Sequence, residues 1–388
     1  MAKWPRPPSL QIRSMSLRPE IAILVSTYQR PGHLRRALLS IAMQRGVHGK
    51  IEVIVTDDGS TDETADIVKA FAGTVNFPVR FTTHPHTAFQ LARCRNEGVA
   101  ASEAPYLLFL DGDCILPPDH VAIHLARRTP GRAMAGYFVR LDEATSARLN
   151  EEIIRGGTFV NWASSAEWRH LRGMARKARL YQWLRHPTKP KMFGNNIGIW
   201  KSDYQRVNGY DENFEGWGCE DDDLRLRLRR SGVSIHTILP WTYTFHMWHP
   251  QDVTRPAEWR LGRNVAYLNR KGALVRCLNG LVKRRLDEVR LHVVGNPPPD
   301  LAPLIPRPRL TARDADGPPE MEVVFSPGPG AFSGKAECNL LVALSETPQS
   351  RRLAGQAHVL VADVDLPAPL AHHKFRLSNL GDALKSAA

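Results

Sequence analysis

With 388 residues, 43% of them hydrophobic, the chain is long enough for one large domain with an appendage, or for two domains. Its formal net charge of +13 calls for an anionic partner, whether nucleic acid, an anionic membrane surface or a phosphorylated substrate. No apolar run approaches the ~20 residues of a membrane span, and the opening stretch MAKWPRPPSLQIRSMSLRPE lacks the apolar core of a signal peptide. Cys94, Cys114, Cys219, Cys277 and Cys338 are scattered, odd in number and include no CxxC pair, so neither a disulfide framework nor a cysteine zinc site is indicated. A cytosolic protein with reduced thiols is expected.

From Ile21 short β-type runs alternate with longer helical patterns, which predicts an α/β fold with a mostly parallel sheet flanked by helices. Strands are expected over 21–26, 51–56, 79–83 and 105–110, with helices over 33–45, 61–73 and 89–101. Ser60 and Glu63 form the pattern of a capping box for the second helix, which Gly73 can close. The unbroken apolar run before Asp111 predicts a central strand buried on both faces. Polar residues gather where the first, second and fourth strands end, the edge at which open α/β sheets bind ligands.

Past Cys114 the pattern is less regular. Residues 142–190 read as a helical insertion without a clear strand partner; a strand over 192–200, a helix over 219–232, a strand leading into a loop over 238–250 and a helix over 257–272 follow. The expected organisation is an N-terminal extension (1–18), a main domain (19–285), a proline-rich linker (286–310) and a small α/β or β-rich appendage (311–388). Between Arg127 and Lys191 arginines interleave with Trp and Tyr. That pattern fits a helix lying on anionic lipid or gripping an acidic glycan, and equally a solvated basic face over buried aromatics.

Four constellations can carry chemistry. In DGDC, Asp111 and Asp113 leave a buried strand two residues apart, so both carboxylates can face one hard cation that also holds diphosphate oxygens. In DDGSTD the Asp57–Asp58 pair sits on a strand's carboxyl edge, where a carboxylate can accept the N3 hydrogen of uracil. In HMWH, His246 and His249 follow a strand three residues apart, and with Asp113 they make a set that suits Mn²⁺ better than Mg²⁺. Finally, Trp217 lies between Gly216 and Gly218, ahead of Glu220, Asp221, Asp222 and Asp223. A flat indole is a platform for a sugar face, and a carboxylate such as Asp221 can take the proton from an incoming hydroxyl. The plainer account of the acids is that they suit a helix N-terminus.

The ordered set STYQRP, DDGSTD, ARCRNEGVAASEAPYLLFLDGDC, GNNIGIW, NGYDENFEGWGCEDDDL and HMWH resembles the metal-dependent GT-A glycosyltransferases of family 2. The later half is similar to the galactosyltransferase-type segment of bacterial chondroitin polymerases and animal β-1,4-galactosyltransferases, the whole resemblance spanning roughly residues 19–285. It implies a GT-A fold and an inverting transfer of hexose or N-acetylhexosamine from a UDP-sugar to a glycan or lipid-linked acceptor in bacterial surface-polysaccharide synthesis. By motif it implies that Thr27, Tyr28, Arg30 and Asp58 line the base, that Arg95 lies near the donor and that Asp111 contacts ribose or metal. It further implies Asp113, His246 and His249 as ligands of Mn²⁺ (or Mg²⁺), Trp217, Glu220 and Asp222 as sugar contacts, and Asp221 as general base. Cys219 stands where that pattern has glycine. On this reading the partner is not nucleic acid, and the enzyme is cytosolic or peripheral on the inner membrane. The alternatives are a sugar-phosphate nucleotidyltransferase, which would want a Lys-bearing glycine-rich loop that STYQRPGHL does not supply, or a non-enzymatic polyanion binder.

Overall fold

The computed structural model describes residues 18–250, 258–270, 272–305, 318–371 and 373–387. Apart from Arg18, the expected N-terminal extension lies outside the described residues, as does the stretch 306–317 between linker and appendage.

The first half is a set of βα units: β1 (Ile21–Thr27), α1 (Pro31–Ala42), β2 (Ile51–Asp57), α2 (Thr64–Ala72), β3 (Val79–Thr83), α3 (Leu91–Ala101) and β4 (Tyr106–Asp111). β1 and β2 are buried along their whole length, as parallel strands covered on both faces must be. Pro31 opens α1, where its missing N–H costs nothing. The helix lays Leu34, Leu38 and Ile41 against Ile23, Val25 and Val53 on one face of the sheet. α3 covers the other face, burying Ala92 and Val99 with Leu24, Ile54 and Phe109. Gly98 lets α3 approach closely, since a Cβ there would stand 2.5 Å from Thr56 Cγ2.

The chain continues through β5 (Cys114–Ile115), α4 (His120–Arg127), β6 (Arg132–Ala135), β7 (Phe138–Arg140), α5 (Glu143–Ala147), α6 (Glu151–Gly156), α7 (Ser165–Trp183), β8 (Ile197–Trp200), α8 (Lys201–Arg206), α9 (Glu220–Arg230), β9 (Ser234–Thr237), β10 (Thr244–His246) and α10 (Arg263–Leu268). The main sheet runs β3-β2-β1-β4-β8-β6-β9, with β4 in the middle as its apolar run predicts. β8 is antiparallel to both β4 and β6. A small sheet, β5-β10-β7, crosses the carboxyl end of β4. The helices of 142–190 have a strand partner after all: Phe159 and Leu171 pack on Val139 and Phe245 of the small sheet, an arrangement invisible to local pattern because those strands are three residues long or fewer and come from distant sequence.

The predicted capping box does not form. α2 starts at Thr64, whose amide is held by Asp62 Oδ1 at 2.9 Å, while the Ser60 amide and hydroxyl turn back to Asp57 at 2.8 and 2.5 Å. Ser60 is spent on the turn that fixes Asp57, leaving the first helical N–H groups to Asp62.

β11 (Leu291–Val294), β12 (Met321–Ser326), β13 (Cys338–Ala343), α11 (Pro348–Ala354), β14 (Val359–Ala362), β15 (His373–Phe375) and α12 (Leu380–Ala387) make a second, all-parallel sheet. Residues 291–294, expected within the linker, are instead its edge strand, since Leu291 is buried with Met321 and Leu340. Leu274 and Val289 join the same core, and Arg284 pairs with Glu320 at 3.1 Å, so the second sheet is fastened to the end of the main domain.

Candidate active site

β1 and β4 are neighbours, while β2 and β3 run out on the other side of β1, so the strand order switches at the β1/β4 boundary. A crevice must open beyond the carboxyl ends there. It does: a cleft of about 670 Å³ takes in Thr27, Tyr28, Arg30, Asp58, Arg95, Asp111, Asp113, Trp217, Glu220, Asp221, Asp222, His246 and His249. The residues expected to bind donor, metal and sugar thus border one space, although Thr27 and His249 are 222 residues apart in the chain.

At one end of the cleft Asp113, His246 and His249 bring ligand atoms within 4.8 Å of one another. His249 Nε2 is 3.3 Å and His246 Nε2 3.7 Å from the Asp113 carboxylate, which also meets Arg30 Nη1 at 3.3 Å. The small sheet explains the meeting, because β10 pairs with β5 so that His246 sits opposite Cys114, next to Asp113. Burial alone would raise the Asp113 carboxyl, but the His249 hydrogen bond and the neighbouring His246 and Arg30 outweigh it and hold the group ionised. The same hydrogen bond raises His249, while burial lowers His246. One carboxylate and two imidazoles in reach of one point fit a borderline divalent ion such as Mn²⁺.

Across the cleft the four acids at the start of α9 divide their labour. Asp223 is buried on Arg227 at 2.7 Å, whose other nitrogen, Nη1, holds the Val207 and Gly209 carbonyls, so this pair serves packing. Asp222 pairs with Arg225 at 2.8 Å and Lys191 at 3.2 Å. Asp221 accepts three hydrogen bonds, from Arg95 Nη1 at 2.9 Å, Tyr210 Oη at 2.8 Å and the Gly194 amide at 2.8 Å. Burial and the charge of Asp221 push Glu220 up to about 7. The helix dipole alone would explain acids here; it does not explain why two of them face a cleft over a buried arginine.

That arginine joins the two halves. Arg95, on α3 and 2% exposed, reaches Asp221 and, with Nη2, Asp111 at 3.3 Å. Glu220 lies 3.7 Å from the same guanidinium. Trp217 packs edge-to-face on Trp259, ring centroids 5.1 Å apart, and Asn264 donates to the Glu215 and Gly218 carbonyls, pinning the loop that carries the indole. Cys219 takes φ +78°, a left-handed conformation that costs a non-glycine residue on the order of 1–2 kcal/mol. The glycine of the resembling pattern would suit that backbone without cost.

At the opposite end Asp58 is clamped: Oδ1 lies 2.9 Å from His84 Nε2 and Oδ2 accepts from the Gln90 amide at 3.1 Å. Tyr28 stacks on His86, ring centroids 4.3 Å apart. Asp57, the other half of the pair, is consumed by Ser60 and Thr83. The sequence reading missed His84, Glu97, Tyr210 and Gly194. Only the Gly in GNNIGIW carried a signal, and there a Cβ would strike the Arg95 guanidinium at 1.8 Å.

A doubly wound sheet switching at β1/β4, paired aspartates leaving β4, and an Asp-His-His cluster facing an acid-rich helix start are the arrangement of the GT-A fold. Comparison with known proteins agrees. Residues 22–193 match the family described as Glycosyl transferase family 2, and residues 172–250 match the one described as N-terminal domain of galactosyltransferase. Over those residues the chain is similar to the family 2 glycosyltransferases. It is 28% identical over 233 residues to the validoxylamine A glucosyltransferase of Streptomyces hygroscopicus subsp. limoneus, covering 56% of this chain and 49% of that protein. It is 26% identical over 238 residues to the chondroitin synthase of Escherichia coli, covering 56% and 33% respectively. The match thus spans half or less of either relative. Among solved structures it is similar to the mannosyltransferase PcManGT from Pyrobaculum calidifontis in complex with GDP-Man and Mn²⁺, at 17% identity and a TM-score of 0.46, over 64% of this chain and 61% of that one.

Proposed function

We propose that the protein is an inverting, metal-dependent transferase that moves a hexose or N-acetylhexosamine from a UDP-sugar to a glycan or lipid-linked acceptor in bacterial surface-polysaccharide synthesis. The observation that carries it is the placement of the Asp113–His246–His249 cluster and the Arg95-held Asp221 on facing sides of one cleft. Asp113, His246 and His249 would hold the divalent ion, which when bound supplies positive charge to the diphosphate leaving group. Asp58 and Tyr28 bind the base. Trp217 and Glu220 hold the sugar, with Asp222 contacting hydroxyls from the rim, and Asp221 Oδ2 accepts the acceptor's proton as its oxygen attacks the anomeric carbon from the face opposite the diphosphate, which inverts that centre. The test is a panel of UDP-sugars assayed for Mn²⁺-dependent release of UDP, which needs no acceptor. At least one donor should turn over in wild type, and His249→Ala should lower that rate by about 10²-fold or more with recovery toward wild type at high Mn²⁺; failure of every UDP-sugar to bind sinks the reading.

The same proposal places the enzyme on an anionic membrane face. No helix among the described residues is long and apolar enough to cross a membrane. The end of α7 instead leaves Leu180, Trp183 and Leu184 50%, 79% and 55% exposed. Arg176, Lys177, Arg179 and Arg185 surround them, and between Ser165 and Lys191 the only acid is Glu167. Trp241, 40% exposed with Arg127 stacked 4.0 Å above it, extends the patch. Apolar side chains ringed by cations suit the headgroup boundary, each cation near an anionic surface contributing ~1 kcal/mol. The chain should float with vesicles containing phosphatidylglycerol and not with pure phosphatidylcholine. Leu180→Glu/Trp183→Glu should abolish flotation without altering UDP release; flotation unchanged by that double substitution, or by high salt, rejects the surface.

A further inference from the structure

We propose that His84, braced by Glu97, is a specificity-determining positioning residue for the nucleotide base. By holding one carboxylate oxygen of Asp58 it fixes that group as a hydrogen-bond acceptor, so the cleft takes a base presenting a ring N–H, as uracil does, and refuses cytosine. The inference rests on the reading of Asp58 as the base contact.

His84 follows β3, and its side chain is 3% exposed between two carboxylates. Nε2 lies 2.9 Å from Asp58 Oδ1 and Nδ1 lies 2.9 Å from Glu97 Oε2. The two ring nitrogens thus bridge the two carboxylates, and the pair of contacts fixes the plane of the imidazole. Glu97 accepts from Arg93 Nε at 2.8 Å through its other oxygen, so it is itself held in place. The backbone of Asp58 is fixed as well, its carbonyl accepting from His86 Nδ1 at 2.8 Å. Arg93, Glu97, His84 and Asp58 therefore form a chain of contacts that ends at the cleft wall. Cys94 lies near enough for its sulfur to complete a three-ligand cluster with Asp58 and His84. Burial and the charge of Asp58 push its thiol far up, however, and the other two groups already bond to each other. The cluster serves hydrogen bonding, not metal binding.

The consequence for recognition is chemical. An ionised carboxylate has no hydrogen to give. Uracil offers N3–H to it, whereas cytosine sets an N3 lone pair against it, a mismatch that in a buried site lowers affinity about ten- to a hundredfold. With His84 gone, Oδ1 of Asp58 loses its partner and the carboxylate is free to turn, so the fixed geometry that separates uracil from cytosine is lost.

The experiment is calorimetry on the full chain with Mn²⁺ present, measuring UDP, CDP and inorganic pyrophosphate against wild type, His84→Leu, His84→Gln and Asp58→Asn. Wild type should prefer UDP over CDP by about tenfold or more. His84→Leu should bring that ratio near one while pyrophosphate affinity is unchanged, with the loss in turnover confined to KM. His84→Gln, which keeps an amide donor toward Asp58, should recover part of the preference. A folded His84→Leu with the wild-type ratio, alongside an Asp58→Asn that destroys it, overturns the role of His84 alone; an Asp58→Asn that keeps the ratio overturns the base-site reading too. Should His84→Leu fail to fold, Glu97→Gln carries the test: its ratio should fall about threefold, and an unchanged ratio overturns the proposal.

Discussion

Asp221→Asn should lower kcat for transfer by about 10³-fold while leaving UDP and Mn²⁺ affinity within about twofold. Arg95 and Tyr210 both donate to Oδ1 of Asp221, and the Gly194 amide donates to Oδ2. A carboxylate has about four acceptor positions, so one remains, on Oδ2, for an incoming hydroxyl. Asn keeps the size and the Oδ1 bonds but turns an amide toward Gly194 and removes the proton acceptor. The competitor is Glu220, which burial and the charge of Asp221 push up to about 7, a value suited to a base at neutral pH. Glu220→Gln separates the two. If Asp221 is the base, Glu220→Gln should raise KM and cost kcat about tenfold or less. If Glu220 is the base, its substitution carries the larger loss and the wild-type rate climbs as pH rises through about 7. Rate–pH profiles of both variants at saturating donor decide between them.

Much of this site was legible because its residues sit where sequence pattern and topology coincide. Asp58, Asp111 and Asp113 lie at or just past the ends of apolar runs, and the end of a buried parallel strand is a position that local pattern locates well. His246, Trp217 and the acids of α9 came instead from their order along the chain, since nothing local says that a late three-residue strand pairs beside Asp113. Groups whose role depends on packing stayed hidden. His84 is one histidine after one strand, and its partners stand 26 and 13 residues away. Ser60 and Glu63 fit a capping box by spacing, yet Asp57 competes for the Ser60 hydroxyl and wins because it is buried and needs the donor. Residues 291–294 lie in a proline-rich stretch, and only the buried company of Met321 reveals a strand.

Arg95→Met should destabilise the fold by about 3–5 kcal/mol at pH 8, the loss expected when one partner of a buried ionic network is removed. The guanidinium is 2% exposed and faces Asp111, Asp221 and Glu220 together, with Tyr210 Oη at 3.2 Å. Without it three carboxylates share a cleft without the guanidinium that faced them all, and Asp111 and Glu220, already raised by burial, bind a proton more tightly still in the folded chain. Groups raised in this way weaken the fold as pH climbs through their folded values. Even with Arg95 present burial lifts Asp111 to about 6 and Glu220 to about 7. The deficit of the variant should therefore be largest at pH 8 and shrink toward pH 5.5, where the raised carboxyls are protonated in the folded state. Arg95→Lys should fall between, because an ammonium keeps the charge but cannot fork to Asp221 and Asp111 at once. Thermal melts of the three proteins at both pH values, with chelator present so that metal binding to Asp113 does not enter, provide the check. Equal deficits at pH 8 and pH 5.5 would mean that Arg95 fills space and does not hold the two acidic halves of the cleft together.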